Sequence, residues 1–71
     1  MTKYGLTPRQ QKVYVFIKSY ITKNGYSPSY SEIAEANNMK TRSHVNQIIV
    51  NLEKRKWITR IRGTARSIEI L

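Results

Sequence analysis

The side chains best suited to bind another molecule lie in one short segment of the chain, residues 40–47. This segment holds two consecutive residues with amide side chains, two with hydroxyls, an arginine and the only histidine of the chain. Asn and Gln can bond adenine in the major groove of DNA, Arg can bond guanine, and Ser, Thr and His can bond bases or phosphates. We predict that six residues contact DNA bases: Thr41, Arg42, Ser43, His44, Asn46 and Gln47.

Positive charge surrounds this segment. The chain has 13 Lys and Arg against 4 Asp and Glu, a formal net charge of +9, and the only acids in its second half are Glu53 and Glu69. Such an excess repels itself unless a polyanion is near, which makes nucleic acid the first candidate partner and an acidic membrane surface the second. A solubilising surface is the alternative, although it would normally mix both signs. The predicted contacts to the DNA backbone are Lys40, Lys54, Arg60, Arg62 and Arg66.

Catalysis is difficult to build from this composition. The chain has one His, no Cys and no Asp, and its four acids are glutamates. A two-carboxylate site needs opposed groups around a cleft, whereas Glu32 and Glu35 lie three residues apart on one predicted helix. A metal site needs three or four ligands, which His44 alone cannot supply. We therefore predict no catalytic residue, no metal, no cofactor and no small-molecule substrate.

Three helices must position the polar segment, and capping signals mark their limits. Thr7 with Gln10 and Ser29 with Glu32 have the spacing of capping boxes, and Thr41 can cap a third helix. Asparagine and glycine at 24–25 and asparagine at 37–38 suit the left-handed backbone that ends a helix. The predicted helices cover about 8–23, 30–37 and 42–56.

The spacing of apolar residues changes after the third helix. Alternation predicts two short strands at about 57–61 and 67–71, joined by a loop from Arg62 to Arg66 that contains Gly63. We call this hairpin, both strands with their loop, the wing. The predicted fold class is α+β: a single domain over 1–71 with a winged helix-turn-helix, in which a three-helix core precedes a two-stranded antiparallel wing. The third helix would enter the major groove, and the wing arginines suit phosphates or a narrow minor groove.

One small core accounts for most of the apolar side chains. Tyr14 and Tyr20 are predicted on or beside it, and packing rather than base stacking is the predicted role of Trp57. Because little apolar surface then remains for a standing dimer interface, we expect a monomer in free solution and two copies assembling on one DNA site. The predicted core residues are Val13, Phe16, Ile17, Ile21, Ile33, Val45, Ile48, Ile49, Leu52, Ile58, Ile61, Ile68 and Ile70.

Three segments resemble the N-terminal DNA-binding domains of the LexA repressor family. Residues 6–11, LTPRQQ, are similar to the family opening L-T-x-R-Q-x. Residues 25–34, GYSPSYSEIA, resemble G-x-x-P-[ST]-x-x-E-I-A, and residues 63–68, GTARSI, match the G-x-x-R-x-I of the family's wing. The combination, in order over nearly the whole chain, is more specific than any one segment.

The resemblance implies a winged helix that binds operator DNA and represses transcription. It places Thr41, Ser43, His44, Asn46 and Gln47 where the family contacts bases. The family has alanine and two glutamates in place of His44, Asn46 and Gln47, so the expected operator differs from the standard one. The family's dimerising, self-cleaving domain has no counterpart here. We therefore expect an excised domain or a small free-standing protein of the kind that phages and mobile elements encode.

Two other functions fit the same sequence. The domain could be a winged-helix module for protein contact, such as an antirepressor or a subunit of a complex, or a binder of RNA or single strands. Basic charge on both the third helix and the wing argues against protein contact. The longest apolar stretch, residues 13–17, is far shorter than the ~20 residues of a membrane span. The expected location is the cytoplasm, at the bacterial nucleoid, with double-stranded DNA as partner.

Overall fold

Three helices precede a two-stranded antiparallel sheet, as predicted. The computed structural model describes residues 5–61, 63–64 and 66–71. Within this part of the chain, no helix is long and apolar enough to cross a membrane. The order of three helices followed by two paired strands confirms the predicted α+β winged helix-turn-helix class. The elements are α1 Pro8–Asn24, α2 Tyr30–Ala36, α3 Arg42–Lys54, β1 Ile58–Thr59 and β2 Glu69–Ile70.

Each helix begins at the cap that the sequence predicted. The Thr7 hydroxyl accepts the Gln10 amide hydrogen at 3.2 Å, and the Gln10 side chain accepts that of Thr7 at 3.2 Å. Ser29 and Glu32 form the same reciprocal pair, with distances of 3.2 and 2.8 Å. Thr41 caps α3. These bonds satisfy amides that a helix leaves unpaired in its first turn.

Left-handed residues end α1 and α2. Gly25, with φ of 82°, closes α1 one residue later than predicted. Helix α2 stops at Ala36, one residue earlier than predicted, and the chain reverses at Asn38, whose φ is 56°. The Met39 amide then donates to the Ala34 carbonyl at 2.8 Å, as in a Schellman motif. This turn leads the chain directly into α3.

Helix α3 ends two residues before the predicted limit, because Lys56 has a φ of 67° and cannot continue a right-handed helix. The Trp57 amide donates to the Leu52 carbonyl at 3.1 Å, and the Lys56 amide donates to the Glu53 carbonyl at the same distance. These two bonds form a second Schellman motif. The turn directs the chain into β1.

The core lies between the three helices and the base of the wing. Three predicted core residues, Phe16, Ile21 and Ile70, are only partly buried against it, and so is Trp57. Tyr14 and Trp57 meet edge to face with their centroids 5.0 Å apart, which confirms packing as the role of Trp57. The buried apolar residues are Val13, Tyr14, Ile17, Ile33, Met39, Val45, Ile48, Ile49, Leu52, Ile58 and Ile68.

The core prediction was wrong for Ile61, which is 66% exposed. The two strands are shorter than predicted, with Ile58 opposite Ile70 and Thr59 opposite Glu69. Beyond them the Ser67 hydroxyl accepts the Ile61 amide hydrogen and donates to the Ile61 carbonyl, each at 3.0 Å. The side chain of Ser67 therefore closes the loop where a ladder was expected, and Ile61 leaves the alternation that would have buried it.

The left-handed turn at Lys56 predicts opposite effects of glycine at two nearby lysines. Lys56→Gly should raise the free energy of unfolding by about 1 kcal/mol, because glycine adopts positive φ without the Cβ penalty. Lys54→Gly, inside the last turn of α3, should lower it by about 0.5–1 kcal/mol. Urea denaturation of both variants measures the difference. A loss of stability in Lys56→Gly would contradict the left-handed assignment.

Candidate nucleic-acid interface

Helix α3 divides its residues between the core and solvent. Val45, Ile48, Ile49 and Leu52 are buried on one side. Of the predicted base contacts, His44 is half-buried and the other five are exposed. Thr41 also has a structural role, because its hydroxyl accepts the His44 amide hydrogen at 3.2 Å. The exposed base-contact candidates are Thr41, Arg42, Ser43, Asn46 and Gln47.

A single cleft of about 460 Å³ joins α3, the start of α2 and the wing. It brings together four predicted site residues that are distant in sequence, Arg42, Asn46, Arg60 and Arg66. Polar and apolar residues from the start of α2 and from the wing complete its lining. Those other lining residues are Ser29, Tyr30, Ser31, Ile61, Gly63, Thr64, Ser67 and Ile68.

The other predicted site residues that the structure describes lie outside the cleft lining. Ser43 and Gln47 are exposed on α3, Lys40 is exposed just before its cap, and Lys54 is exposed at its end. Arg62 lies outside the described residues. Within the described part of the chain, no group of three or more acids and histidines is placed to hold a metal ion.

Arg60, in the wing, forms hydrogen bonds with two residues of α3. Its Nε donates to the Glu53 carboxylate at 3.2 Å, and its Nη1 donates to the Asn46 Oδ1 at 3.3 Å. Nη1 also donates to the Tyr30 hydroxyl. The Arg60 side chain is only 12% exposed. Its charge is thus directed towards protein groups. A contact to the DNA backbone would require the guanidinium group to face outward.

Arg66 joins the wing to α2 through a bidentate ion pair. Its Nη1 and Nη2 donate to the two Glu32 carboxylate oxygens at 2.9 and 3.1 Å, the planar geometry that favours arginine over lysine. Nη1 also donates to the Ser27 carbonyl at 3.2 Å and to the Tyr20 hydroxyl at 3.4 Å. The guanidinium carbon lies 5.2 Å from the centre of the Tyr26 ring, a favourable cation–π arrangement.

This pairing determines the ionisation of Glu32. Hydrogen bonds from Arg66 and then from the Ser29 amide lower the pKa of Glu32 to about 2, because both favour the charged carboxylate. The same pair raises the pKa of Arg66. Sequence reasoning had assigned Glu32 only as a helix cap. No local spacing could reveal its second partner, because Arg66 lies 34 residues away in the chain.

Ser27 forms a second link between the wing and the helices. It is almost completely buried, and its hydroxyl accepts the Ile68 amide hydrogen at 3.3 Å. The backbone of the wing is therefore fixed to the α1–α2 connection at Ile68, two residues after Arg66. Sequence reasoning gave Ser27 no role.

The sequence of this chain matches the family model described as the LexA DNA binding domain over residues 3–67. The chain belongs to the LexA DNA-binding domain family. Glu32 and Arg66 lie in two of the three segments that resemble the LexA family, residues 25–34 and 63–68. Their ion pair brings these two segments together in the folded chain.

Individual relatives are repressors much longer than this chain. It is 39% identical over 68 residues to the LexA repressor of Syntrophobacter fumaroxidans, covering 94% of this chain and 33% of the relative. It is 42% identical over 67 residues to that of Koribacter versatilis, with 94% and 32% covered. For Thermosipho melanesiensis the values are 45% over 67 residues, with 93% and 33% covered. The chain thus spans about a third of the length of these LexA repressors.

The ion pair predicts how stability depends on pH. A carboxyl whose pKa is lower in the folded state stabilises the fold above its usual pKa, and this contribution disappears as the pH falls through the folded value. For Glu32 the loss should occur between its usual 4.5 and about 2. Arg66→Met should raise the Glu32 pKa towards 4.5 and narrow this window.

Carboxyl NMR titration of Glu32 in both proteins measures the pKa, and urea denaturation over the same pH range measures stability. Glu32→Gln is the matched control, because glutamine can retain the capping bond but does not titrate. An unchanged Glu32 pKa in Arg66→Met would show that the ion pair is not formed in solution.

Proposed function

We propose that this LexA-family domain binds duplex DNA with sequence specificity and represses transcription by occupying its site. Helix α3 enters the major groove, and the wing lies against the backbone or in the minor groove. The observation that carries the proposal is the exposed polar face of α3, which borders the same cleft as the wing. A helix fits the major groove, which is about 12 Å wide. The proposed activity is binding, with no reaction catalysed.

The proposed base contacts are concentrated at the start of α3. Ser43, Asn46 and Gln47 are exposed there and carry groups that bond base edges. Thr41, Arg42 and His44 complete the proposed set, of which His44 is the least accessible. This arrangement resembles the docking of other helix-turn-helix proteins, whose recognition helices contact bases with their N-terminal residues.

The proposed backbone contacts follow the distribution of charge. Lys40 and Lys54 are exposed at the two ends of α3 and suit phosphates; Arg62 belongs to the same proposed group. For Arg60 and Arg66, the bonds to Glu53 and Glu32 favour holding the wing in place over binding phosphates. A DNA-bound protein of this family would act in the cytoplasm, at the bacterial nucleoid.

Binding to duplex DNA is favoured over binding to single strands. Single-strand binders stack bases on exposed aromatic rings, whereas Tyr14 and Trp57 pack together at the core. The Tyr20 ring packs against Phe16 and against Tyr26, with centroids 5.9 Å apart in each pair, although Tyr26 itself is half exposed. Competition of a labelled duplex by unlabelled duplex and by single strands tests this preference directly.

Two substitutions on α3 and beside it separate base reading from phosphate binding. Gln47→Ala should weaken binding to the preferred duplex by about 1–3 kcal/mol and change binding to random duplex little. Lys40→Ala should weaken both by similar amounts and reduce the slope of log K against log salt by about one. Fluorescence anisotropy over a range of salt concentrations measures both effects.

The preferred duplex for this experiment comes from selection out of a random pool with the unmodified protein. Equal losses on both duplexes for Gln47→Ala would show that this residue does not read bases. An unchanged salt slope for Lys40→Ala would remove that residue from the phosphate contacts.

We further propose that the domain is monomeric in solution and that two copies assemble on one DNA site. In the described part of the chain, the large apolar side chains that are exposed are Val15, Tyr26, Ile61 and Leu71. They are few and lie in different segments of the chain, whereas a stable interface needs about 1,000 Å². The net charge of +9 opposes self-association until DNA neutralises it.

Sedimentation should therefore give a monomer for the free protein. On a duplex with two half-sites, the second copy should bind more tightly than the first, because contacts between copies form only there. A single half-site duplex is the control. A tight dimer without DNA would contradict the first part of this prediction, and independent filling of the two half-sites would contradict the second.

A further inference from the structure

Asn46 is the proposed base-contact residue whose side chain is held by another part of the protein. It is exposed on α3, and its Oδ1 accepts a hydrogen bond of 3.3 Å from Arg60 Nη1. Arg60 is itself fixed by Glu53, at 3.2 Å from Nε, and by the Tyr30 hydroxyl. The orientation of the Asn46 amide is thus set from within the protein before any DNA binds.

The chemistry of arginine determines which end of the amide faces it. A guanidinium group has only hydrogen-bond donors, so the group opposite Arg60 must be the amide oxygen and not the amide nitrogen. The Asn46 Nδ2 is attached to the same carbon as Oδ1 and points the other way. The end of the side chain left to meet DNA therefore carries two N–H donors.

We propose that Asn46 reads DNA as a hydrogen-bond donor and selects a base with a keto oxygen in the major groove, guanine or thymine, over adenine or cytosine. Guanine offers O6 and N7 as acceptors, and thymine offers O4. Cytosine presents an amino donor. Adenine offers N7 to one donor, but the usual two-bond pairing of asparagine with adenine also needs Oδ1 turned towards the N6 amino group, and the bond to Arg60 turns Oδ1 the other way.

Arg60 is a positioning residue in this proposal. Its side chain is 12% exposed and its charge is matched by Glu53, so it acts through Asn46 and not by contact with DNA. The inference rests on the proposed function, because it requires α3 to lie in the major groove. It adds to that function the chemical class of base that one residue selects.

Substitution of Asn46 by aspartate gives the sharpest test. Asn46→Asp keeps an acceptor for Arg60 and strengthens the pair, while its second oxygen replaces the outward donor by an acceptor. Selection from a random duplex pool with the unmodified protein and with Asn46→Asp should therefore show one base per half-site changing from guanine or thymine to cytosine or adenine. The change in relative affinity for the two duplexes should be about tenfold or more.

Arg60→Met provides a second, independent arm. Without the guanidinium, the Asn46 amide can rotate and present oxygen and nitrogen together, so adenine should gain about tenfold against guanine at the same base. Arg9→Met is the matched control, because it removes one exposed positive charge from α1 and leaves the cleft intact. Circular dichroism and urea denaturation verify that each variant is folded. If Arg60→Met does not fold, the Asn46→Asp selection alone tests the inference.

The outcomes separate the inference from the function on which it rests. If the unmodified protein enriches no sequence, the proposed function and this inference both fail. If it enriches a sequence whose Asn46-dependent base is adenine or cytosine, or if Asn46→Asp leaves the base preference unchanged, only this inference fails. The inference is supported if Asn46→Asp changes the selected base from guanine or thymine to cytosine or adenine, while Arg9→Met leaves the selected base unchanged.

Discussion

The placement of the wing depends on one carboxylate. The Glu32 carboxylate accepts a hydrogen bond from the Ser29 amide as part of the cap of α2. It also accepts one hydrogen bond from each terminal nitrogen of Arg66. The sheet itself has two residues in each strand, and an isolated two-stranded hairpin is marginal in water. Tertiary bonds must therefore fix the wing beside α3, and Arg66 provides the densest group of them.

The two wing arginines that the structure describes are each paired with a glutamate of a helix. Arg60 is paired with Glu53 and Arg66 with Glu32, so two of the four glutamates of the chain neutralise arginines that join the wing to the helices. Net charge alone suggested that these side chains point at a polyanion. In the described structure both are instead paired with glutamates. The Arg60 side chain is largely buried, whereas 41% of the Arg66 side chain is exposed, and the two pairs maintain the shape of the cleft.

Local signals in the sequence were sufficient for the helices and their ends. Capping boxes and left-handed turns depend on residues three to five apart, and they appeared where Thr7, Ser29 and Asn38 predicted them. The exposure of α3 residues followed from helical period alone. The partners of Arg60 and Arg66 did not, because they lie up to 46 residues away and only the fold brings them together. Ile61 was misplaced because alternation was extended beyond the point where Ser67 ends the strands.

The shared carboxylate also has a dynamic consequence. Free energies of local opening are usually common to groups of contiguous contacts rather than to single bonds. Glu32 belongs to the first turn of α2 and to the contact that anchors the wing, while Ser27 binds the backbone at Ile68. Departure of the wing therefore loosens the first turn of α2, and fraying of that turn releases the wing. We therefore expect α2 and the wing to open as one cooperative unit, although the two residues of the ion pair that joins them are 34 residues apart in the chain.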